Sequence, residues 1–158
     1  MEWFDNLGYE ITVGDEVVPL TGNLAYLVQK IKKLGTREEL FVVATVTFEN
    51  GTTVYAHNVI DLRELGMSSD KIDYSKQGCT GFDFFGNPIS IGDQILYLHR
   101  MEMYSTVGFA KKFANKNCIM DIPQNRFDQT SYKKPYKEIF SLSSLGLSES
   151  IIRKENRN

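Results

Sequence analysis

The feature that most constrains this chain is an internal repeat. Phe4-Asp5-Asn6-Leu7-Gly8-Tyr9-Glu10-Ile11-Thr12-Val13-Gly14-Asp15 aligns with Phe82-Asp83-Phe84-Phe85-Gly86-Asn87-Pro88-Ile89-Ser90-Ile91-Gly92-Asp93 at a constant offset of 78 residues. Phe, Asp, Gly, Ile, Gly and Asp coincide, Val13/Ile91 and Val17/Ile95 are apolar in both, and Leu20 meets Leu98. Further on, Val28, Lys32, Lys33 and Leu34 meet Val107, Lys111, Lys112 and Phe113 at offset 79. Leu62, Leu65, Gly66 and Ser68 meet Leu142, Leu145, Gly146 and Ser148 at offset 80. Three colinear blocks separated by one-residue slips are what loop insertions between two copies produce. The object to explain is therefore a module of about 60–80 residues, used twice.

Each copy reads as short strands. Glu16–Leu20 and Gln94–Leu98 are β-rich runs directly after a Gly-Asp corner, where Gly supplies the backbone angle and Asp a local hydrogen bond. Tyr26–Leu34 and Thr106–Phe113 predict a second strand, and the β-branched, aromatic run Leu40–Glu49 a third. Asn50-Gly51, ahead of Thr52–His57, is a strong hairpin signal because both turn positions favour positive φ. Val59–Leu62 and Glu138–Leu142 close each copy. A Leu-x-x-Leu-Gly pattern follows in Asp61–Ser68 and in Ser141–Ser150, which predicts one helical turn ended by Gly66 or Gly146.

Five short strands in about 60 residues, with Gly and Asn corners, predict a mostly β chain of two tandem small β-barrels that close their own edges. The expected boundaries are 1–68 for the first copy, 69–81 for a polar linker, 82–150 for the second copy and 151–158 for a tail.

The run Ile89-Ser90-Ile91-Gly92-Asp93-Gln94-Ile95-Leu96-Tyr97, followed by Thr106-Val107-Gly108-Phe109-Ala110-Lys111-Lys112, resembles the opening of KOW- and Tudor-type SH3-like barrels. In those, a Gly-Asp-x-Val strand precedes a Gly near the start of the second strand. The likeness covers about 30 residues per copy and implies SH3-like barrels. The first copy departs from it, with Gln29 or Lys30 where the second has Gly108. The tandem plan and the Phe-Asp…Gly-Asp openings are also similar to small early DNA-associated proteins of T-even-like tailed phages. That likeness implies sequence-independent binding of duplex DNA, modulation of gene expression, and a place in the host cytoplasm.

Hydrophobic residues are 42% and charged residues 24% of the chain, which excludes general disorder. No apolar run approaches the ~18 residues of a membrane span, so no membrane association is expected. The start, Met1–Asp5, lacks the basic and apolar segments of a secretory signal. Cys79 and Cys118 are too few for a disulfide framework and fit a reducing, cytoplasmic setting.

No phosphate loop, metalloprotease helix or nucleophile elbow is present. His57 and His99 occupy different places in the two copies, with no partner at metal-ligand spacing, and read as surface histidines at strand ends. Cys118, in Cys118-Ile119-Met120, reads as core. Asp5, Asp15, Asp83 and Asp93 recur in both copies. Paired carboxylates can serve acid–base chemistry, but carboxylates that hydrogen-bond their own turns account for these. The expectation is a binding protein, with no enzyme activity, cofactor, metal or small-molecule substrate.

Charge points to the partner. Residues 1–69 hold 5 Lys/Arg against 10 Asp/Glu, a net −5, whereas residues 100–137 hold 8 against 3, a net +5. Arg126, Tyr132, Lys133, Lys134, Tyr136 and Lys137 interleave cations with rings, and Lys111, Lys112 and Lys116 precede them. Cations neutralise phosphates, and tyrosines can stack on bases or lie against sugars. Lys32 and Lys33 match Lys111 and Lys112, so a lysine-bearing hairpin is common to both copies. The expected partner is nucleic acid, duplex DNA in the first place. The rival reading is a protein-docking adaptor for the transcription machinery or a host defence component. Its apolar patch would lie around Trp3, Phe4 and Tyr9, unless those three pack at the junction of the copies.

Overall fold

The computed structural model describes residues 2–98, 105–121 and 132–153. They form two compact units, the first of residues 2–69 with 152–153 and the second of residues 70–98, 105–121 and 132–151. The fold is mostly β, with a five-stranded antiparallel sheet in each unit.

The first unit contains β1 (Glu16–Pro19), β2 (Gln29–Glu38), β3 (Val42–Phe48), β4 (Thr53–Tyr55) and β5 (Val59–Asp61), in the order β4-β3-β2-β1-β5. The second contains β6 (Gln94–Tyr97), β7 (Thr106–Phe113), β8 (Asn117–Asp121), β9 (Tyr132–Pro135) and β10 (Ile139–Ser141), in the order β10-β6-β7-β8-β9. Taken along the chain, the two orders are the same. A 3-10 turn joins the fourth and fifth strands in each, Ala56–Asn58 and Tyr136–Glu138.

The shared corners do the same work in both units. Gly14 and Gly92 sit at φ +95° and +93°. Their amides donate to Ile31 and Ala110 carbonyls, and those residues donate back to Asp15 and Asp93. Asp5 Oδ1 accepts from the amides of Leu7 and Tyr9, and Oδ2 from Asp61. Asp83 Oδ1 accepts from Phe85 and Asn87, and Oδ2 from Ser141. Both carboxylates are fully buried. Each ties the opening turn to the closing strand, which explains why an acid recurs there. The helical turns also form: Leu62–Leu65 is 3-10 and Leu142–Leu145 α-helical, ended by Gly66 and Gly146 in the left-handed region.

The cores match position by position. Ile11, Val17, Ile31, Val46, Phe48, Ala56 and Val59 cluster in the first unit. Ile89, Ile95, Ala110, Cys118, Met120, Tyr136 and Ile139 take the matching places in the second, joined by Tyr97. Two exchanges offset one another in volume: Ile31 becomes Ala110, and Ala56 becomes Tyr136.

Several expected boundaries move. Strand β2 begins at Gln29 and not at Tyr26, because Tyr26 lies at φ +62° and breaks the extended chain. At the Asn50-Gly51 turn only Gly51 takes positive φ. Asn50 instead uses its Oδ1 to accept from Thr52 N, and Gly51 N closes the turn on Phe48 O. The stretch expected as a linker, 69–81, is bonded into structure. Ser69 N donates to Glu16 in the first unit. In the second, Asp73 N donates to Phe85 O, and Thr80 Oγ1 to Asn115 O. At the expected tail Ile151 is buried and Arg153 N donates to Leu7 O, while 154–158 lie outside the described residues.

Candidate nucleic-acid interface

The lysines of the second unit are distributed by strand pairing. Opposed residues of neighbouring strands share a face of the sheet. Lys112 opposes Ile119, and Ile119 opposes Lys133, so these three form one row across β7, β8 and β9. Lys112 and Lys133 are exposed and Ile119 is half-buried between them. Lys116, in the β7–β8 turn, and Lys137, in the 3-10 turn after β9, are exposed as well.

A β-bulge shapes this row. The β7–β8 register slips between Ala110 and Lys112, leaving Lys111 as the extra residue. The β2–β3 register slips at the matching place, between Ile31 and Lys33, leaving Lys32. Strand residues normally alternate between faces, but a bulge re-aims one of them. Two successive lysines are therefore exposed in each unit, Lys32 with Lys33 and Lys111 with Lys112. In the first unit the row reads Lys33, Thr47, Thr53, with the two threonine hydroxyls 2.8 Å apart. Thr53 stands where the second unit has Lys133, so the doubled cation belongs to the second unit alone. Lys111 Nζ lies 3.5 Å from Asp121, a surface pair that offsets part of its charge.

Other expected contacts fall elsewhere. Tyr136 is 1% exposed, and its hydroxyl donates to Ala114 O at 2.7 Å. It is a core residue, clustered with Ala110 and Cys118, and it cannot stack on a base. Tyr132 is half-buried and packs against the same core, 5.6 Å from the Tyr97 ring. Lys134 opposes the buried Cys118 and so lies on the inner face, its Nζ 5.0 Å over the Tyr97 ring. Arg126 and His99 lie outside the described residues. Neither Trp3 nor its neighbours form a bare patch: Trp3 packs on the core with Nε1 donating to Gly35 O, and Arg153 lies over Tyr9.

Three features had no counterpart in the sequence reading. The tip of the β2–β3 hairpin exposes Leu40, Phe41 and Val42 at 94%, 77% and 51%. A groove of about 480 Å³ is lined by Leu20, Thr21, Gly22, Ala25, Tyr55, His57 and Asn58. Lastly, Asp61 is fully buried beside Asp15, with Arg63 Nη2 3.3 Å from Asp15 and 3.8 Å from Asp61. Burial, then the hydrogen bond to Asp15 and its charge, push the Asp61 carboxyl up to about 8.

Cys118 is buried, and burial pushes its thiol up to about 11. Among the described residues no three His, Cys, Asp or Glu side chains are placed to hold a metal ion, and no helix is long and apolar enough to cross a membrane. No protein-family model matches the chain, and no curated protein matches it either.

Proposed function

We propose that this chain is a non-enzymatic nucleic-acid-binding protein that holds duplex DNA without sequence preference and so modulates gene expression. The observation that carries the reading is the row of Lys112 and Lys133 flanking Ile119 on an exposed sheet face, with Lys116 and Lys137 on adjoining turns. Lysines at fixed spacing on a rigid sheet neutralise phosphates and displace counterions while carrying no base readout. The same proposal takes both units as SH3-like barrels of the KOW or Tudor kind, derived from one duplicated module. The equal strand order, the matched Asp5 and Asp83 ties and the matched lysine bulges support it. It also keeps the likeness to early DNA-associated phage proteins acting in the host cytoplasm.

Gel-shift titration of random duplex at rising salt tests the reading. Affinity should fall with salt, and Lys112→Glu with Lys133→Glu should weaken all sequences alike and reduce the salt slope by about 1 per lysine removed. No retardation at low salt, or an affinity indifferent to salt, overturns it.

A second reading, a protein-docking adaptor of the transcription machinery or of a host defence component, draws on the bare Leu40-Phe41-Val42 tip. Exposed apolar clusters are typical of docking sites. It requires a complex that survives nuclease and moderate salt, and that Phe41→Ser abolishes.

A further inference from the structure

We propose that two copies of this chain pair edge to edge through their first units, along the open outer edge of β3 at Val42 and Ala44. The hairpin that carries this edge is longer than its counterpart. Leu34 pairs with Val46 in β2–β3 as Phe113 pairs with Cys118 in β7–β8. There the second unit turns, with Ala114 N donating to Asn117 O. The first continues through four more pairs, from Gly35 with Thr45 to Glu38 with Val42. The second unit reaches the same strand order without them, so the extension is not required by the fold.

This extension outruns its cover. Strand β4 pairs with Thr45, Val46 and Thr47, and among the described residues no strand lies beside Val42–Ala44 on that side. Phe48 N donates to Thr52 O, which fixes the direction of the backbone groups along β3. Alternate residues of a strand bond to the same side. The N–H and C=O of Val42 and Ala44 therefore point outward, past the end of β4. Such an edge is usually guarded by lysine, proline, a bulge or an inward charge. Val42-Val43-Ala44 has none of these, whereas β9 covers Asn117–Met120 in the second unit.

Open backbone groups select an extended strand as occupant, and the side chains select which strand. Val42 and Ala44 lie on one face of β3, Phe41 and Val43 on the other. Leu40, Phe41 and Val42 are exposed. The occupant must present apolar residues on both faces and have an open edge of its own. Among the described residues no other run of consecutive large apolar side chains is exposed, so the segment matches itself. Antiparallel pairing about a two-fold axis sets one residue opposite its own copy and makes each contact twice. With Val42 at the axis, Ala44 meets Leu40 and Val43 meets Phe41, a smaller residue against a larger one in each row. An axis at Val43 would instead drive Phe41 into the place that Tyr55 takes beside Thr45. Because β4 occupies the edge from Thr45 onward, pairing stops at two copies.

The acids of the tip do not oppose this contact. Glu38 pairs with Val42, so the two copies of Glu38 end a row of four strands, their backbones about 14 Å apart at three strand spacings. Physiological salt screens exposed charges beyond ~8 Å. The contact is short, which makes the dimer weak and concentration-dependent. It does not rest on nucleic-acid binding, and it takes the tip that the adaptor reading gives to a foreign protein.

The test is sedimentation velocity of the full chain from about 10 µM to about 1 mM, the range in which weak contacts dissociate. The average mass should rise from 18.0 kDa towards twice that value. Ala44→Pro removes an outward N–H and no bond to β2, and should weaken the dimer about tenfold or more. Leu40→Ser with Phe41→Ser should do the same, while Lys133→Glu leaves association unchanged. Amide exchange in the native chain gives a reading independent of any variant: Val42 and Ala44 should slow as concentration rises, and Val17 and Val59 should not change. A mass constant at 18.0 kDa throughout overturns the proposal, whether the edge then serves a foreign strand or none. So does exchange at Val42 and Ala44 that ignores concentration, a dimer that survives both sets of changes, or growth beyond two copies.

Discussion

At the scale of single residues, the three fully buried aspartates divide into two kinds. Asp5 and Asp83 each collect three backbone amides, and removing such an acceptor strands buried donors. Asp83→Ala should cost about 2–4 kcal/mol in urea unfolding. Asp61 is different, because it faces a second carboxyl. Its folded value of about 8 lies above the ordinary 3.8, so the folded chain holds a proton that the unfolded chain releases. Stability from this group is present below about pH 4, falls as pH rises, and is lost above pH 8. Asp61→Asn keeps an oxygen for the Arg63 amide and can donate to Asp15. The unfolding midpoint of that variant should change little near pH 4 and rise at pH 8 relative to the native chain. Tyr136 shows why its role was not legible. Residues 132–137 alternate rings with lysines, and nothing local states which set faces inward. The pairing of β9 with β8 turns Tyr132 and Lys134 to the core face and Lys133 outward, and the 3-10 turn carries Tyr136 into the interior. Tyr136→Phe should cost about 1 kcal/mol for the lost bond to Ala114 and leave nucleic-acid affinity unchanged.

At the scale of elements, the turns were the most readable parts. A Gly-Asp pair, an Asn-Gly pair and a Leu-x-x-Leu-Gly pattern each describe a backbone path within a few residues, and all three places hold turns in the structure. Tight corners also differ in what they tolerate. Gly92 and Gly86 both lie at positive φ, but a Cβ at Gly92 meets nothing, whereas one at Gly86 would sit 2.6 Å from Asp73 O. Gly92→Ala should cost about 1–2 kcal/mol, and Gly86→Ala about 1–3 kcal/mol more from overpacking, measured by the same urea titration. The bulges were not readable. A slip in register depends on the partner strand, so Lys32 and Lys111 looked like ordinary strand residues. Likewise Leu40-Phe41-Val42 read as the start of the third strand, because apolar residues at a hairpin tip are indistinguishable in sequence from those beneath it.

At the scale of the molecule, the two units share a plan but should differ in their response to pH. Burial raises Asp83 to about 6, while Asp61 reaches about 8 and is replaced at the matching place by Ser141. Both units should lose stability from pH 4 to 6, and only the first from pH 6 to 8. Residue-resolved NMR of urea unfolding should show the Val17 and Val59 amides falling behind those of Ile95 and Ile139 over the second interval. Equal behaviour of the two sets would contradict the assignment of the upper titration to Asp61. The amino-acid sequence alone determined the doubled pattern, the β character, the corners with their recurrent acids and the cation-rich stretch of the second copy. Each of these depends on local backbone preference or on composition. Tertiary structure alone decided which lysines share a face, that the tyrosines turn inward, that Asp61 meets Asp15, and that Tyr55, His57 and Asn58 border one groove with Leu20. Those outcomes depend on register and on volume traded between distant strands, and no short stretch of sequence carries either.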